Sequence, residues 1–224
     1  MAVLKGKGGQ WHPSYGNPSA GQRSSPFPGG ELGEILKAYA AITSAFAILM
    51  LGGFGLFTAK PGEIIQALLI SAFTVGVGFV LHELAHRHVA RRYGCQAEFR
   101  AFPPFLAIAI ASAFFGFIFA APGAVFISGS VRRKESARIA ASGPAMNIAV
   151  AFFFIALHFL LPVRAVEQVT FYGASINAFL AFFNLIPFGG FDGLKVLRGD
   201  QKLFYLLMLA SLAALIVANT LPPV

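Results

Sequence analysis

The stretch 76–94, "GVGFVLHELAHRHVARRYG", begins apolar enough to lie in lipid and ends in a basic run from His88 to Arg92. Between the two, His82, Glu83 and His86 interrupt the apolar face. Ionisable groups within a membrane helix are expensive and usually functional. His82 and His86 are four residues apart, about 40° apart around a helix and one turn along it, with Glu83 between them in angle. This is the HExxH arrangement, two imidazoles gripping one zinc ion and a carboxylate beside the metal's water. The alternative is an interfacial position, with all three residues hydrated at the inner end of the helix. An interface needs no particular spacing, and Leu and Val occupy the neighbouring face.

The composition supports a membrane setting. Of 224 residues, 57% are hydrophobic and 12% charged, with a mean hydropathy of +0.72. A soluble domain of this length needs more polar surface. The fold class expected is an all-α polytopic membrane protein. The net charge of +8 lies on a body too apolar for a nucleic-acid binder, so no nucleic-acid partner is expected. Cys95 is the only cysteine, which excludes an intrachain disulfide.

Charge-free intervals locate five helices, at 38–59, 64–81, 139–163, 168–191 and 203–224. Each is near the roughly 20 residues that cross a hydrocarbon core. Pro61-Gly62 separates the first two, and Gly94 is a plausible stop for the second. With the N-terminal tail inside, alternation leaves only Lys60 and Arg164 outside, out of 17 Lys and Arg. That asymmetry orients the chain and places His82 and His86 toward the cytoplasm. The assignment requires residues 101–131 to leave and return on one side, as a re-entrant element or as a sixth helix with an extended return. The segments 96–102 and 124–131 read as extended. Residues 1–32, rich in Gly, Pro and Ser, read as a flexible cytoplasmic tail, with Trp11 and His12 incidental, and 33–224 as one membrane domain.

A catalytic zinc needs a third protein ligand and an open position. His158 lies toward the outer end of its helix, His88 points off the His86 face, and Asp200 follows Lys195 and Arg198 into solvent. Asp192 remains, in "FNLIPFGGFDGLKVLRG", at about the depth of the HExxH pair. Pro187, Gly189 and Gly190 loosen the chain there. Its alternative role is to cap the next helix.

HExxH near the inner end of one helix, followed by "SGPAMN" and then "NLIPFGGFDG", resembles the site-2 protease family of intramembrane zinc metalloproteases. The likeness covers roughly residues 76–200 and is to a compact archaeal or bacterial type without a PDZ or CBS domain. It implies His82, His86 and Asp192 as ligands of one Zn2+ per chain, Glu83 as general base, and Asn184 as a polar group for substrate or its oxyanion. The implied partners are a transmembrane protein substrate and the lipid bilayer of the cell membrane. Gly143 and Asn147 match the family's Gly-x-x-x-Asn packing motif, read here as close helix packing with an interhelical hydrogen bond. The chain departs from the family's PxxPLDG in having "PFGGFDG". A metal transporter and an inactive scaffold that binds membrane helices are the other readings. The first would spread its polar groups along a path and show repeats; the second would bind without turnover.

Overall fold

The computed structural model describes residues 30–119, 123–161 and 163–222, with backbone only at 164 and 165. Trp11, His12 and the tail up to residue 29 lie outside the described residues, as does Pro122.

The first helix, α1, spans Glu31–Met50. It begins well before the charge-free interval at 38–59, because its acidic residues are absorbed by the protein. Glu31, 1% exposed, pairs with Arg87 at 2.9 Å and accepts the Phe99 N–H at 3.1 Å. Glu34 accepts the Ala101 N–H at 3.2 Å. After α1 the chain reverses through Gly52 and Gly53, both left-handed, and a short 3-10 turn at Gly53–Phe57. The left-handed φ of 67° and the Phe114 carbonyl packed on its Cα both demand glycine at Gly53.

Helix α2 runs continuously over Pro61–Arg92. Pro61 opens it, and the Glu63 carboxylate accepts the Lys60 N–H at 2.9 Å, satisfying one of the free donors there. A single π turn at Ala72–Gly76 interrupts the α register. Tyr39 donates to the Ala72 carbonyl at 3.3 Å, and Tyr39 and Thr43 pack so closely on Gly76 that a Cβ would not fit. The helix stops at Arg92, and Gly94, at φ 76°, turns the chain away as expected.

Strands β1 (Gln96–Ala101) and β2 (Gly123–Ser128) pair antiparallel, from Gln96 opposite Ser128 to Ala101 opposite Gly123. Between them α3, Pro103–Ala113, is about 16 Å long at 1.5 Å per residue, half a crossing. Its Ala109 and Ala113 pack on Ala45 and Ile48 of α1. Over 101–131 the described residues form a half-length helix flanked by two paired strands, shorter than a sixth spanning helix would be. Its two ends meet in the sheet, so the excursion begins and ends together.

Helix α4, Arg133–Leu160, carries Pro144 internally and packs against α2, α5 and α6. Helix α5, Arg164–Asn184, stops seven residues short of the interval at 168–191. An irregular segment then leads into the short α6, Asp192–Gly199. Asp200 accepts the Leu203 N–H at 3.1 Å and caps α7, Gln201–Thr220, so it is a structural cap. Four of these helices, α1, α2, α4 and α7, are long and apolar enough to cross a membrane. With seven helices and one small two-stranded sheet among the described residues, the protein is an all-α polytopic fold.

The interior is built largely from small side chains and the surface from large ones. Ala38, Ala45, Ala109, Ala151, Ala178 and Ala214 are fully buried, whereas Phe73, Phe153, Leu160 and Leu209 are at least 60% exposed. Lipid tails solvate Phe and Leu as well as a core does, so close backbone approach is what holds such helices together.

Candidate metal centre

Three elements far apart in sequence meet at the centre: α2 brings His82 and His86, α6 brings Asp192, and α4 walls it with Gly143. His86 Nε2 lies 3.0 Å from His82 Nε2 and 3.1 Å from Asp192 Oδ2, and His82 Nε2 lies 3.6 Å from that oxygen. All three side chains are buried. Ligands about 2.0–2.1 Å from a tetrahedral zinc stand roughly 3.3 Å from each other, so these spacings suit that ion.

Hydrogen bonds fix the tautomers. The His86 Nδ1–H donates to the Ile139 carbonyl at 2.8 Å, and the His82 Nδ1–H donates to Asn147 Oδ1. A carbonyl can only accept, so each ring carries a proton on Nδ1 and, in its neutral form, presents an unprotonated Nε2 to the other. Two lone pairs and a carboxylate oxygen facing one another at this range repel; a proton relieves one contact, a cation all three. The chemistry of the donor set therefore fits a metal.

Asn147 is held in turn. Its Nδ2 donates to Asn177 Oδ1 at 2.9 Å and reaches the Gly78 carbonyl at 3.4 Å, while Asn177 Nδ2 donates to the Gly173 carbonyl at 2.9 Å. Both amides are fully buried. This chain of amides joins α5, α4 and α2 and aims the His82 ring. Replacing Asn147 with Ala is expected to weaken zinc affinity by roughly 10–100-fold, the usual effect of losing a ligand's hydrogen-bond partner. Competition against a chromophoric chelator measures it; unchanged affinity would remove Asn147 from the orienting role.

Gly143 has a more direct part than helix packing. A Cβ built on it would contact the Nε2 atoms of both His82 and His86. The space in front of the rings is open because residue 143 lacks a side chain. Pro144 follows, and its missing N–H deprives the Ala140 carbonyl of its helix donor, one residue on from the Ile139 carbonyl that receives His86.

Asp192 is the first residue of α6, and its side chain turns into the centre rather than capping the helix. Gly193 lets α6 sit against the Leu185 carbonyl, where any Cβ would collide. Burial alone would push the Asp192 carboxyl up, yet the neighbouring His86 and Lys195 hold it well below the usual carboxylate range. Glu83 is 6% exposed, and among the described residues its Oε2 is buried with no hydrogen-bond partner. A buried carboxylate oxygen left unpaired is costly, and a catalytic role beside a metal is one explanation for it.

Asn184 is half-buried, and its Nδ2 donates to the Leu180 carbonyl of its own helix at 2.9 Å. The structure does not bring it into the ligand cluster. His158 bonds Thr170 at 2.8 Å and His88 is exposed, so neither joins the centre. Asn177, which sequence reasoning missed, was signalled only by being an amide in the apolar run of α5.

The chain is 43% identical over 141 residues to the protein named "Putative zinc metalloprotease MJ0611" of Methanocaldococcus jannaschii, covering 62% of this chain and 74% of that one. It is 30% identical over 168 residues to "Putative zinc metalloprotease Rip3" of Mycobacterium tuberculosis, covering 69% of this chain and 39% of that one. No protein-family model matches the chain, and no solved structure matches it significantly.

Proposed function

This chain belongs to the site-2 protease family of zinc metalloproteases, and from that membership we propose that it hydrolyses peptide bonds of membrane-spanning proteins. The observation that carries the reading is the convergence of His82, His86 and Asp192 on one point, with Glu83 buried on the same helix as the histidines and its Oε2 without a hydrogen-bond partner among the described residues. His82, His86 and Asp192 would hold one zinc ion, which when bound supplies Lewis acidity toward a carbonyl and acidifies water. Glu83 accepts a proton from water as the water oxygen adds to the scissile carbonyl carbon. The same carboxyl then gives that proton to the amide nitrogen as the carbon–nitrogen bond breaks. Asn184 binds substrate or its oxyanion, a role supported by its place eight residues before Asp192 in the family motif.

The centre faces the cytoplasmic side of the cell membrane, supported by the distribution of Lys and Arg. A substrate helix hides its amides and must unwind to be cut. The β1–β2 sheet offers a place to hold the unwound strand, but Glu31 and Glu34 already occupy N–H groups on the β1 edge. Strand addition is therefore assigned to β2.

The test is cleavage of a single-span substrate co-reconstituted in liposomes with the purified chain. Stripping the metal with a chelator is expected to abolish cleavage, and one equivalent of zinc per chain to restore it. Cleavage that persists after complete metal removal would sink the proposal.

A further inference from the structure

Asp192 uses its two oxygens differently. Oδ2 faces the imidazoles at 3.1 and 3.6 Å, while Oδ1 is turned to the Lys195 ammonium at 3.3 Å. Lys195 lies one turn further along the same short helix, its side chain 20% exposed against 4% for Asp192. We propose that Lys195 is a positioning residue that holds Oδ1 of Asp192 away from the metal, so that the carboxylate binds through Oδ2 alone. The inference rests on the reading of His82, His86 and Asp192 as ligands.

The physical reason is competition for a small, mobile anion. A carboxylate can offer one oxygen or both to a cation, and a zinc centre with three protein ligands works through its open position. Asp192 is the first residue of α6, with Gly193 behind it, so little in its own backbone prevents a rotation that would bring Oδ1 inward. An ammonium on Oδ1 opposes that rotation through a charge-assisted hydrogen bond in a buried setting. It also draws electron density from the carboxylate, which keeps a bound metal more electrophilic. Neither histidine presents a comparable choice, since each has one nitrogen committed to Asn147 or Ile139.

Cobalt replaces zinc in such sites and reports its coordination number in the visible absorption of the metal. In full-length protein loaded with Co2+, Lys195→Met is expected to lower the band intensity at least about twofold, as a fourth ligand position becomes a fifth. In the zinc protein the same change is expected to lower kcat roughly tenfold, the order seen when an outer partner of a ligand is lost, with KM held within about twofold. Lys195→Arg, which keeps a cationic donor in reach of Oδ1, is expected to restore both. A Lys195→Met spectrum identical to wild type overturns the proposal, and so does a Lys195→Arg spectrum matching Lys195→Met. Should Lys195→Met not fold, Lys195→Gln carries the same comparison. A wild-type protein that binds cobalt but cuts no membrane substrate ends the protease reading and leaves this spectral test standing. Normal cleavage with indifference to Lys195 ends only the role given to Lys195.

Discussion

Replacing Glu83 with Gln is expected to lower cleavage of a membrane substrate by about 10²–10⁴-fold, the contribution typical of a positioned general base. Zinc content is expected to stay near one per chain. The amide has nearly the shape of the carboxylate and cannot take a proton from water at neutral pH. Glu83 is not among the three groups that converge at the centre, so its loss leaves the ligand set intact. Its Oε2 has no partner among the described residues, so the substitution also breaks no hydrogen bond at that oxygen. Elemental analysis beside a liposome cleavage assay measures both quantities. Retained turnover would take the base role from Glu83, while lost zinc would make Glu83 part of the metal-holding structure.

Gly143→Ala is expected to remove most of the metal binding with a single methyl. The new Cβ would stand against both ring nitrogens that face the centre. Bound metal and that carbon cannot share the space, and α4 is pinned there by the Ile139 carbonyl and by Asn147. The expected loss of zinc affinity exceeds the roughly 10–100-fold that follows removal of an outer hydrogen-bond partner. The fold should survive, because helix α4 accepts Ala readily. Isothermal titration with zinc, beside circular dichroism of the apo protein, separates the two effects. A variant that binds zinc as wild type does would show that α4 can retreat, and the steric account would fail.

Much of this centre was legible because its first half is local. His82, Glu83 and His86 need only helical periodicity to come together, and an apolar helix makes their presence conspicuous. Asp192 followed by elimination, since the chain has few acids to offer. Gly143 and Asn147 were visible as a motif, but as helix packing; their contact with the imidazoles depends on how α4 lies across α2, which periodicity does not specify. Asn177 and Lys195 act through another residue, and a single sequence carries little trace of such a relation.

The start of α1 was misplaced for an electrostatic reason. A rule that treats every charge as a span boundary ended the apolar interval at Lys37, although Glu31 is buried by Arg87 and by the strand amides. Pairing makes a charge compatible with the interior, and the pairing partners lie more than 50 residues away in sequence. The excursion at 101–131 was bounded by its lack of charge, but only the β1–β2 register shows that its ends meet.

Helix α2 places Glu83 and its neighbours directly after the apolar run 64–81, about 27 Å of helix at 1.5 Å per residue. A hydrocarbon layer is near 30 Å thick and varies by a few ångströms among membranes. Longer acyl chains would draw the reacting groups deeper into oil, and shorter ones would lift them toward bulk solvent. On the proposed function, the supply of water to the bond being cut would then be metered by bilayer thickness, a throttle that resides in the surrounding medium rather than in the polypeptide.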